Sequence, residues 1–211
     1  MHLTCVNVAQ PREHEISGKP AVTGIFKVPQ VGSVFVGTLG LAGDFVGDTK
    51  HHGGPDQAVY VYSTADYDVW SERLGEALAP GTFGENLTFT TFGEGEVRIG
   101  DRYKIGDVVL EVTCPRIPCD TLAARMNDLA FVKKFREVGR PGFYARVLSE
   151  GRVEAGMPIE KAHSTDFPTI GEAFELWFQK APDLSEVRRM LSAPIAERGR
   201  KDWEEYLAQK A

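Results

Sequence analysis

The cysteine best placed for chemistry lies in a loop between a predicted strand and a predicted helix. Residues 113–122 read TCPRIPCDTL. The two prolines restrict the shapes that the loop can adopt. Cys119 stands near the predicted helix start, where the helix dipole favours a thiolate, and Arg116 adds positive charge. Such a thiolate can act as a nucleophile or bind a soft metal, and the alternative is a buried structural cysteine.

A second loop, residues 49–59, reads TKHHGGPDQAV and precedes a predicted strand. Gly53 and Gly54 allow a ligand to approach the backbone closely, and exposed N–H groups can bind an anion. His52 adds a ring nitrogen beside them. The alternative is a polar turn that leads into a buried strand.

Three further side chains lie in turns where they can contact a ligand. Asn86 in FGEN (83–86) can donate an amide hydrogen bond, and Arg140 in GRPG (139–142) can bind a phosphate with two N–H groups. Lys19 in GKP (18–20) can supply a point charge. Each segment can equally be an ordinary strand entry, hairpin or surface loop.

The elements that position these loops are mainly strands over the first 160 residues or so. Short apolar runs separated by glycine-rich turns are typical of a barrel or a sandwich. The predicted strands fall in residues 3–8, 24–28, 31–41, 58–62, 86–90, 102–105, 108–113 and 143–148.

Two helices interrupt the predicted strands. The first runs over residues 63–78 with Ser63 or Thr64 as its cap, and the second runs over residues 122–138. In the second helix, Leu129, Val132 and Phe135 have the spacing of a buried face.

From Phe167-Pro168 onward the pattern is helical. Thr169 to Glu172 has the pattern of a capping box, Asp183 begins a second helix, and residues 192–194 (SAP) open a third. The sequence therefore predicts a domain over 1–165 and a three-helix domain over 166–211. These helices are too short to bury much surface alone, so we expect them to pack on the β domain or on a second subunit.

Composition narrows the choice of partner and compartment. The net charge is −6, which argues against general nucleic-acid binding. We find no signal-peptide pattern and no apolar stretch that could span a membrane. Three cysteines, an odd number, do not suggest a disulfide framework. We therefore expect a cytoplasmic protein with free thiols.

A series of short motifs runs along the chain over nearly all of residues 18–160. They are GKP at 18–20, TGIFK at 23–27, GD at 43–44, HGGPDQAVY at 52–60, FGENL at 83–87, IGD at 99–101, PRIPC at 115–119 and GRPGFY at 139–144. In this order and spacing they resemble the MOSC-domain family, and more closely its YiiM-like branch. The C-terminal helices resemble the small α domain that this branch carries.

The resemblance implies a fold that is mainly β with α, built from a MOSC β-barrel domain and a three-helix domain. Related domains are the C-terminal part of molybdenum-cofactor sulfurases and the mitochondrial amidoxime reducing component. In those relatives one cysteine coordinates molybdenum, and Cys119 matches it, whereas Cys114 does not. The family as a whole is also associated with pyridoxal phosphate binding.

The resemblance further implies molybdenum cofactor and the two-electron reduction of N-hydroxylated compounds such as 6-hydroxylaminopurine. The oxygen would leave as water, and electrons would come from a separate reductase protein. Cys119 would be both the catalytic residue and the metal ligand. The residues expected to bind the cofactor are Lys19, Thr23, His52, Gly53, Gly54, Asn86, Arg116 and Arg140.

Other functions remain open from the residues alone. The domain can be a binding module that carries the cofactor, or sulfur as a persulfide on Cys119. It can be a cysteine hydrolase with His52 as the base, although no third member is evident. A zinc site of Cys114, Cys119, His51 and His52 has a spacing outside the usual pattern. The exposed apolar stripe of the C-terminal helices is also consistent with a homodimer.

Overall fold

The computed structural model describes residues 1–210, and strands dominate its first three quarters. The strands are β1 Leu3–Val8, β2 Arg12–Ile16, β3 Lys19–Thr23, β4 Val28–Pro29, β5 Val34–Gly37, β6 Gly40–Leu41, β7 Val59–Ser63, β8 Leu87–Phe89, β9 Arg102–Ile105, β10 Val108–Pro115, β11 Phe143–Ser149, β12 Gly151–Val153 and β13 Glu160–His163. The helices are α1 Thr64–Leu74, α2 Asp120–Arg125, α3 Phe131–Val138, α4 Ile170–Trp177, α5 Leu184–Leu191 and α6 Glu197–Ala208.

The main sheet has eight strands in the order β13-β9-β10-β11-β7-β8-β1-β4. All of its described pairs are antiparallel except β7 with β8, which are parallel and joined through α1. A three-stranded sheet (β12-β5-β6) and the β2-β3 hairpin complete the strands. The predicted class, mainly β with α, is confirmed. The expected barrel is not closed, because β13 and β4 stand at the two ends of the strand order.

The first forty residues differ from the predicted strands. The polar segments of β2 and β3 form a hairpin that apolar periodicity does not indicate. Residues 24–27, predicted as strand, form a loop. A Cβ at Gly24 would lie only 1.8 Å from the carbonyl oxygen of Phe45, so another loop passes directly over this position. Tertiary contact therefore determines the local structure here.

The single helix predicted over residues 122–138 is wrong. The chain forms α2 and α3, separated at Asn127, whose φ is +50°. Leu129, predicted on a buried face, is 90% exposed, whereas Phe131 and Phe135 are buried. The break changes which residues share a face, and this is why periodicity read across it fails.

The C-terminal helices pack directly on the sheet. Ile170, Met190 and Ile195 belong to the same buried cluster as sheet residues such as Val112 and Ala145. The predicted capping box is confirmed, because the Thr169 hydroxyl accepts from the Glu172 amide and the Glu172 carboxylate accepts from the Thr169 amide. The third helix begins at Glu197 and not at the predicted Ser192-Ala193-Pro194. The boundary near residue 166 stays a prediction.

A second, aromatic cluster attaches α1 and α3 to the sheet. The Trp70 ring stacks on Phe131 and Phe135, with centroid distances of 5.0 and 5.7 Å, and its indole N–H donates to the Tyr62 hydroxyl at 2.9 Å. Because the loop that carries Cys119 leads through α2 into α3, this packing fixes its far end. Within residues 1–210, no helix is both long and apolar enough to cross a membrane.

Two glycines of the GRPG turn provide a matched test of this packing. Gly139 and Gly142 both have a positive φ, but only at Gly142 would a Cβ clash, 2.4 Å from the carbonyl oxygen of Val61. We expect Gly142→Ala to lower the free energy of unfolding by about 1–3 kcal/mol more than Gly139→Ala, since only the former adds overpacking to backbone strain. Urea unfolding measures both. Equal losses would show that the sheet yields at this point.

Candidate functional site

Cys119 lies where two cavities meet. Its residue is the N-cap of α2, and its Sγ lies 3.9 Å from Nε2 of His52. One cavity, about 720 Å³, is walled by the β2-β3 hairpin and the polar loops, and we call it the polar cavity. The other, about 670 Å³, is walled by the proline loop and the C-terminal helices, and we call it the helical cavity. Both cavities include Cys119 and His52 in their linings.

The surroundings of Cys119 favour its thiolate. Burial acts to raise the pKa of the thiol, but the hydrogen bond with His52 and the positive charge of Arg116 outweigh it. The amide of Leu122 at the start of α2 acts in the same direction. The pKa of Cys119 is thereby lowered from 9.0 to about 6. At neutral pH the site presents a thiolate to both cavities.

Arg116 supplies a positive charge that is almost wholly buried, with 4% of its surface exposed. Its guanidinium donates to the Ile117 carbonyl at 3.3 Å and lies over the rings of Phe135 and Tyr60, at 5.4 and 5.8 Å. Within residues 1–210 it forms no ion pair with a carboxylate. Burial lowers the pKa of Arg116, but the Cys119 thiolate together with Tyr60 and Tyr144 more than offsets this, so the pKa is raised. Arg116 is thus suited to bind an anion.

The polar cavity brings together most of the residues that the sequence singles out. Besides Cys119, its lining includes Lys19, Thr23, His52, Gly53, Asn86 and Arg116. Gly54 does not line it and instead precedes the short 3-10 helix Pro55–Gln57. Segments far apart in the chain therefore converge on one cavity, whose lining contains the Cys119 thiolate and the cations Lys19 and Arg116.

Arg140 is not part of this site. Its guanidinium donates to Oδ1 of the buried Asp66 at 2.8 Å, and its carbonyl accepts from the Tyr62 hydroxyl at 2.9 Å. It lines neither cavity at Cys119 and borders a separate hollow beside Phe92. The expectation that it binds the cofactor's phosphate is not supported by its position, because it anchors the GRPG turn to α1.

Asn86 lines the polar cavity, but its amide is already engaged. Its Oδ1 accepts from the Tyr60 amide at 3.1 Å, and its Nδ2 donates to Asp44 at 2.8 Å. Asp44 also accepts from the Ala9 amide and pairs with the buried Lys27. Burial lowers the pKa of Lys27, and Asp44 opposes this. Asn86 therefore positions Asp44, and sequence reasoning missed the Lys27–Asp44 pair although both residues fall within quoted motifs.

The histidine–glycine loop is tied to the C-terminal helices by the two residues that follow its proline. Asp56 accepts from Arg146 at 3.0 Å and from the amide of Glu197 at 2.8 Å. Gln57 accepts from Arg198 at 2.9 Å. The position of α6 is therefore coupled to the loop that carries His52. Nothing in the local sequence pattern indicates this connection.

Cys114 has a different role from Cys119. Its Sγ accepts from Gln57 Nε2 at 3.5 Å, and burial raises the pKa of its thiol. Across residues 1–210, no three or more His, Cys, Asp and Glu side chains are grouped closely enough to hold a metal ion. The zinc site considered from Cys114, Cys119, His51 and His52 is therefore not present as a cluster.

Comparison with known proteins identifies the family of this chain. The MOSC domain model matches residues 48–160. The chain is 37% identical over 193 residues to the uncharacterized protein YflK of Bacillus subtilis, covering 89% of this chain and 85% of that protein. It is 31% identical over 180 residues to protein YiiM of Escherichia coli, covering 83% and 79%. The chain belongs to the MOSC-domain family, and it is YiiM-like.

Solved structures extend the likeness to the C-terminal helices. The crystal structure of YiiM from Geobacillus stearothermophilus matches with a TM-score of 0.78 and 27% identity, covering 96% of each chain. A 36% identical relative in Gibberella moniliformis, named Reductase, matches over 148 residues, which are 67% of this chain and 26% of that protein.

The acidity of Cys119 can be measured directly. In a Cys5→Ser, Cys114→Ser background, the rate of iodoacetamide alkylation should rise with pH with a midpoint near 6. His52→Gln removes the imidazole and should move the midpoint up toward the ordinary thiol value of 9.0. His51→Gln is the matched control, because His51 is exposed and pairs with Asp48. A midpoint that stays near 6 in His52→Gln would contradict the role assigned to His52.

Proposed function

We propose that this protein is a molybdenum-cofactor-dependent oxidoreductase that reduces N-hydroxylated compounds, with Cys119 as the molybdenum ligand. The observation that carries the proposal is the Cys119 thiolate, stabilised by His52 and Arg116 at the junction of two cavities. A soft thiolate at a rigid loop is the ligand type that molybdenum takes from a protein. Membership of the MOSC family supports the same cofactor.

The residues at the polar cavity fit this cofactor. The pterin brings its own sulfur ligands to the metal, so one protein thiolate completes the set. Its phosphate needs cations and N–H groups, which Arg116, Lys19 and Gly53 provide along one lining. Arg116 is buried without a carboxylate partner in the described residues, so its charge is available for an anion. The cavity volume of about 720 Å³ is in the range of cofactor pockets.

When bound, the cofactor would supply the two-electron redox centre, and the chain's own residues do the rest. Cys119 holds the metal, and Arg116 keeps the thiolate ionised while it neutralises negative charge nearby. Thr23 and Gly53 shape the cavity wall. The Lys27–Asp44–Asn86 group fixes the floor without contributing a free donor.

The proposed reaction breaks an N–O bond. The substrate takes up two electrons and two protons, the nitrogen keeps an N–H, and the oxygen leaves as water. His52 holds a ring nitrogen 3.9 Å from the thiol and is the group placed to deliver a proton. Tyr144 lines both cavities, and burial, opposed by Arg116, raises its pKa to about 12, so its hydroxyl stays protonated.

Electrons would come from a separate reductase protein. The fungal relative named Reductase supports this arrangement, because the matched segment is 26% of that chain. A protein with that name thus carries a unit like this one beside further sequence.

The second candidate function is a carrier without redox turnover, and the low pKa of the Cys119 thiol favours it as well. A thiolate open to a cavity can carry sulfur as a persulfide. A cysteine hydrolase fits less well, although His52 contacts the thiol. Nδ1 of His52 has no hydrogen-bond partner among residues 1–210, so nothing orients the ring as a third member would.

The proposal predicts which substitutions abolish the activity. In protein expressed in a cofactor-producing host, Cys119→Ser should lose molybdenum and reductase activity. Arg116→Met keeps the buried volume but not the charge, and we expect about 10–100-fold weaker cofactor retention. Lys133→Gln, an exposed position in a surface ion pair, is the control and should match the wild type. Metal analysis, pterin fluorescence and turnover of an N-hydroxylated base with an added reductase are the measurements.

Each result separates the candidates. Retained pterin and molybdenum without turnover in the wild type would favour the carrier. Full activity in a Cys119→Ala protein that still holds the cofactor would remove Cys119 from the mechanism.

A further inference from the structure

The helical cavity is built differently from the polar cavity. Its outer wall comes from α4 and α6, which contribute Trp177 and Trp203. Ile117 and Pro118 of the proline loop line it as well, and Cys119 and Tyr144 belong to both cavities. One thiolate therefore faces a cationic space on one side and a largely apolar space on the other.

The two indoles form an aromatic corner in this wall. Their ring centroids are 6.1 Å apart and the rings are nearly perpendicular, at 83°. Trp203 packs partly against the main core, whereas Trp177 is 41% exposed. An exposed indole beside a lined cavity offers a flat face on which an aromatic ring can stack. An aliphatic molecule of similar size gains much less from the same surface.

Polar groups at the cavity favour ligands that donate hydrogen bonds. Asp202 lines the cavity, and no hydrogen bond or ion pair within residues 1–210 engages its carboxylate. Arg198 also lines it, but its guanidinium is already bound to Gln57 and to the carbonyl of Thr49. The Asp202 carboxylate is thus a free acceptor, suited to an amino or ring N–H and unfavourable for a carboxylate on the ligand.

We propose that the helical cavity is the substrate chamber, and that Trp177 and Trp203 make it selective for flat aromatic compounds that carry N–H donors. The inference rests on the proposed function, since it places the substrate on the opposite side of Cys119 from the cofactor. The helices are then part of the active site. The contacts of Asp56 and Gln57 with α6 fix its position relative to the loop that carries His52.

Binding of a product-like probe tests the inference without requiring turnover. 2-Aminopurine is a flat fluorescent base with N–H donors, and its quenching on titration with the purified full chain gives a Kd. We expect Trp177→Ala and Trp203→Ala each to raise this Kd about tenfold, the loss of one stacking face. Trp203→Phe retains an aromatic face and should stay within about twofold. Molybdenum and pterin content should be unchanged in all three.

A larger side chain at a cavity-lining glycine provides an independent test in case Trp203→Ala destabilises the fold. Gly199 of α6 lines the helical cavity, and a Cβ built on it meets no atom within 4 Å. Gly199→Leu should weaken 2-aminopurine binding about tenfold or more by filling the chamber, with Tm equal or higher because glycine disfavours helix. Glu204→Leu, exposed on the same helix outside the cavity lining, is the matched control and should bind as the wild type does.

Turnover measurements test the selectivity for aromatic over aliphatic substrates. In the loaded enzyme, the ratio of kcat/KM for an aromatic to an aliphatic hydroxamic acid should fall about tenfold in Trp177→Ala. If 2-aminopurine fails to bind, or binds equally well to Gly199→Leu and both alanine variants, the inference is overturned whether or not the protein holds molybdenum. Conversely, loss of the proposed function would appear in the Cys119→Ser metal analysis and leave these binding data unaffected.

Discussion

The buried charge of Arg116 is the constraint around which the site is arranged. Removing a guanidinium from water is costly unless an anion or suitable donors and acceptors compensate, and here the compensation comes from a thiolate, one carbonyl and two aromatic faces. Arg116 and Cys119 depend on each other, because the cation favours the thiolate and the thiolate keeps the cation charged. Two prolines restrict the loop that carries the pair, and Phe135 of the aromatic cluster packs against the guanidinium.

Polar networks on either side keep this pair accessible instead of letting the walls collapse onto it. On the side of the polar cavity, Asp44 joins Lys27, Asn86 and the Ala9 amide, so that three segments distant in sequence meet at one carboxylate. On the other side, Arg146 bridges Asp56 and Glu111 and also donates to the carbonyls before α6. Such networks are favourable only when each member is satisfied, and these are nearly complete. The thiolate therefore lies between two rigid walls.

The sequence predicts which residue types can do chemistry better than it predicts where the fold places them. The proline loop, the glycine loop and Lys19 were identified from residue type and spacing, and they converge. Arg140 was selected by the same reasoning, yet Asp66, distant in sequence, draws it to α1. The prediction that Leu129 is buried was wrong because the positive φ at Asn127 ends the helix, so the residues on either side no longer share one helical periodicity. The roles of Asp56 and Gln57 cannot be predicted from their motif, because their partners on α6 are about 140 positions away and leave no local signal.

The position of α6 has a consequence for how one fold can serve different substrates. The residues that hold Cys119 and form the polar cavity come from the MOSC part of the chain, whereas the outer wall of the helical cavity comes from α4 and α6. Changes in the helices can therefore alter what reaches the thiolate without disturbing Arg116, His52 or the hairpin. The coupling through Asp56 limits this freedom, since a shift of α6 also shifts the loop that carries His52. Different residues therefore line the helical cavity and set the pKa of Cys119. The Asp56 carboxylate still connects the two sets, because it links α6 to the loop that carries His52.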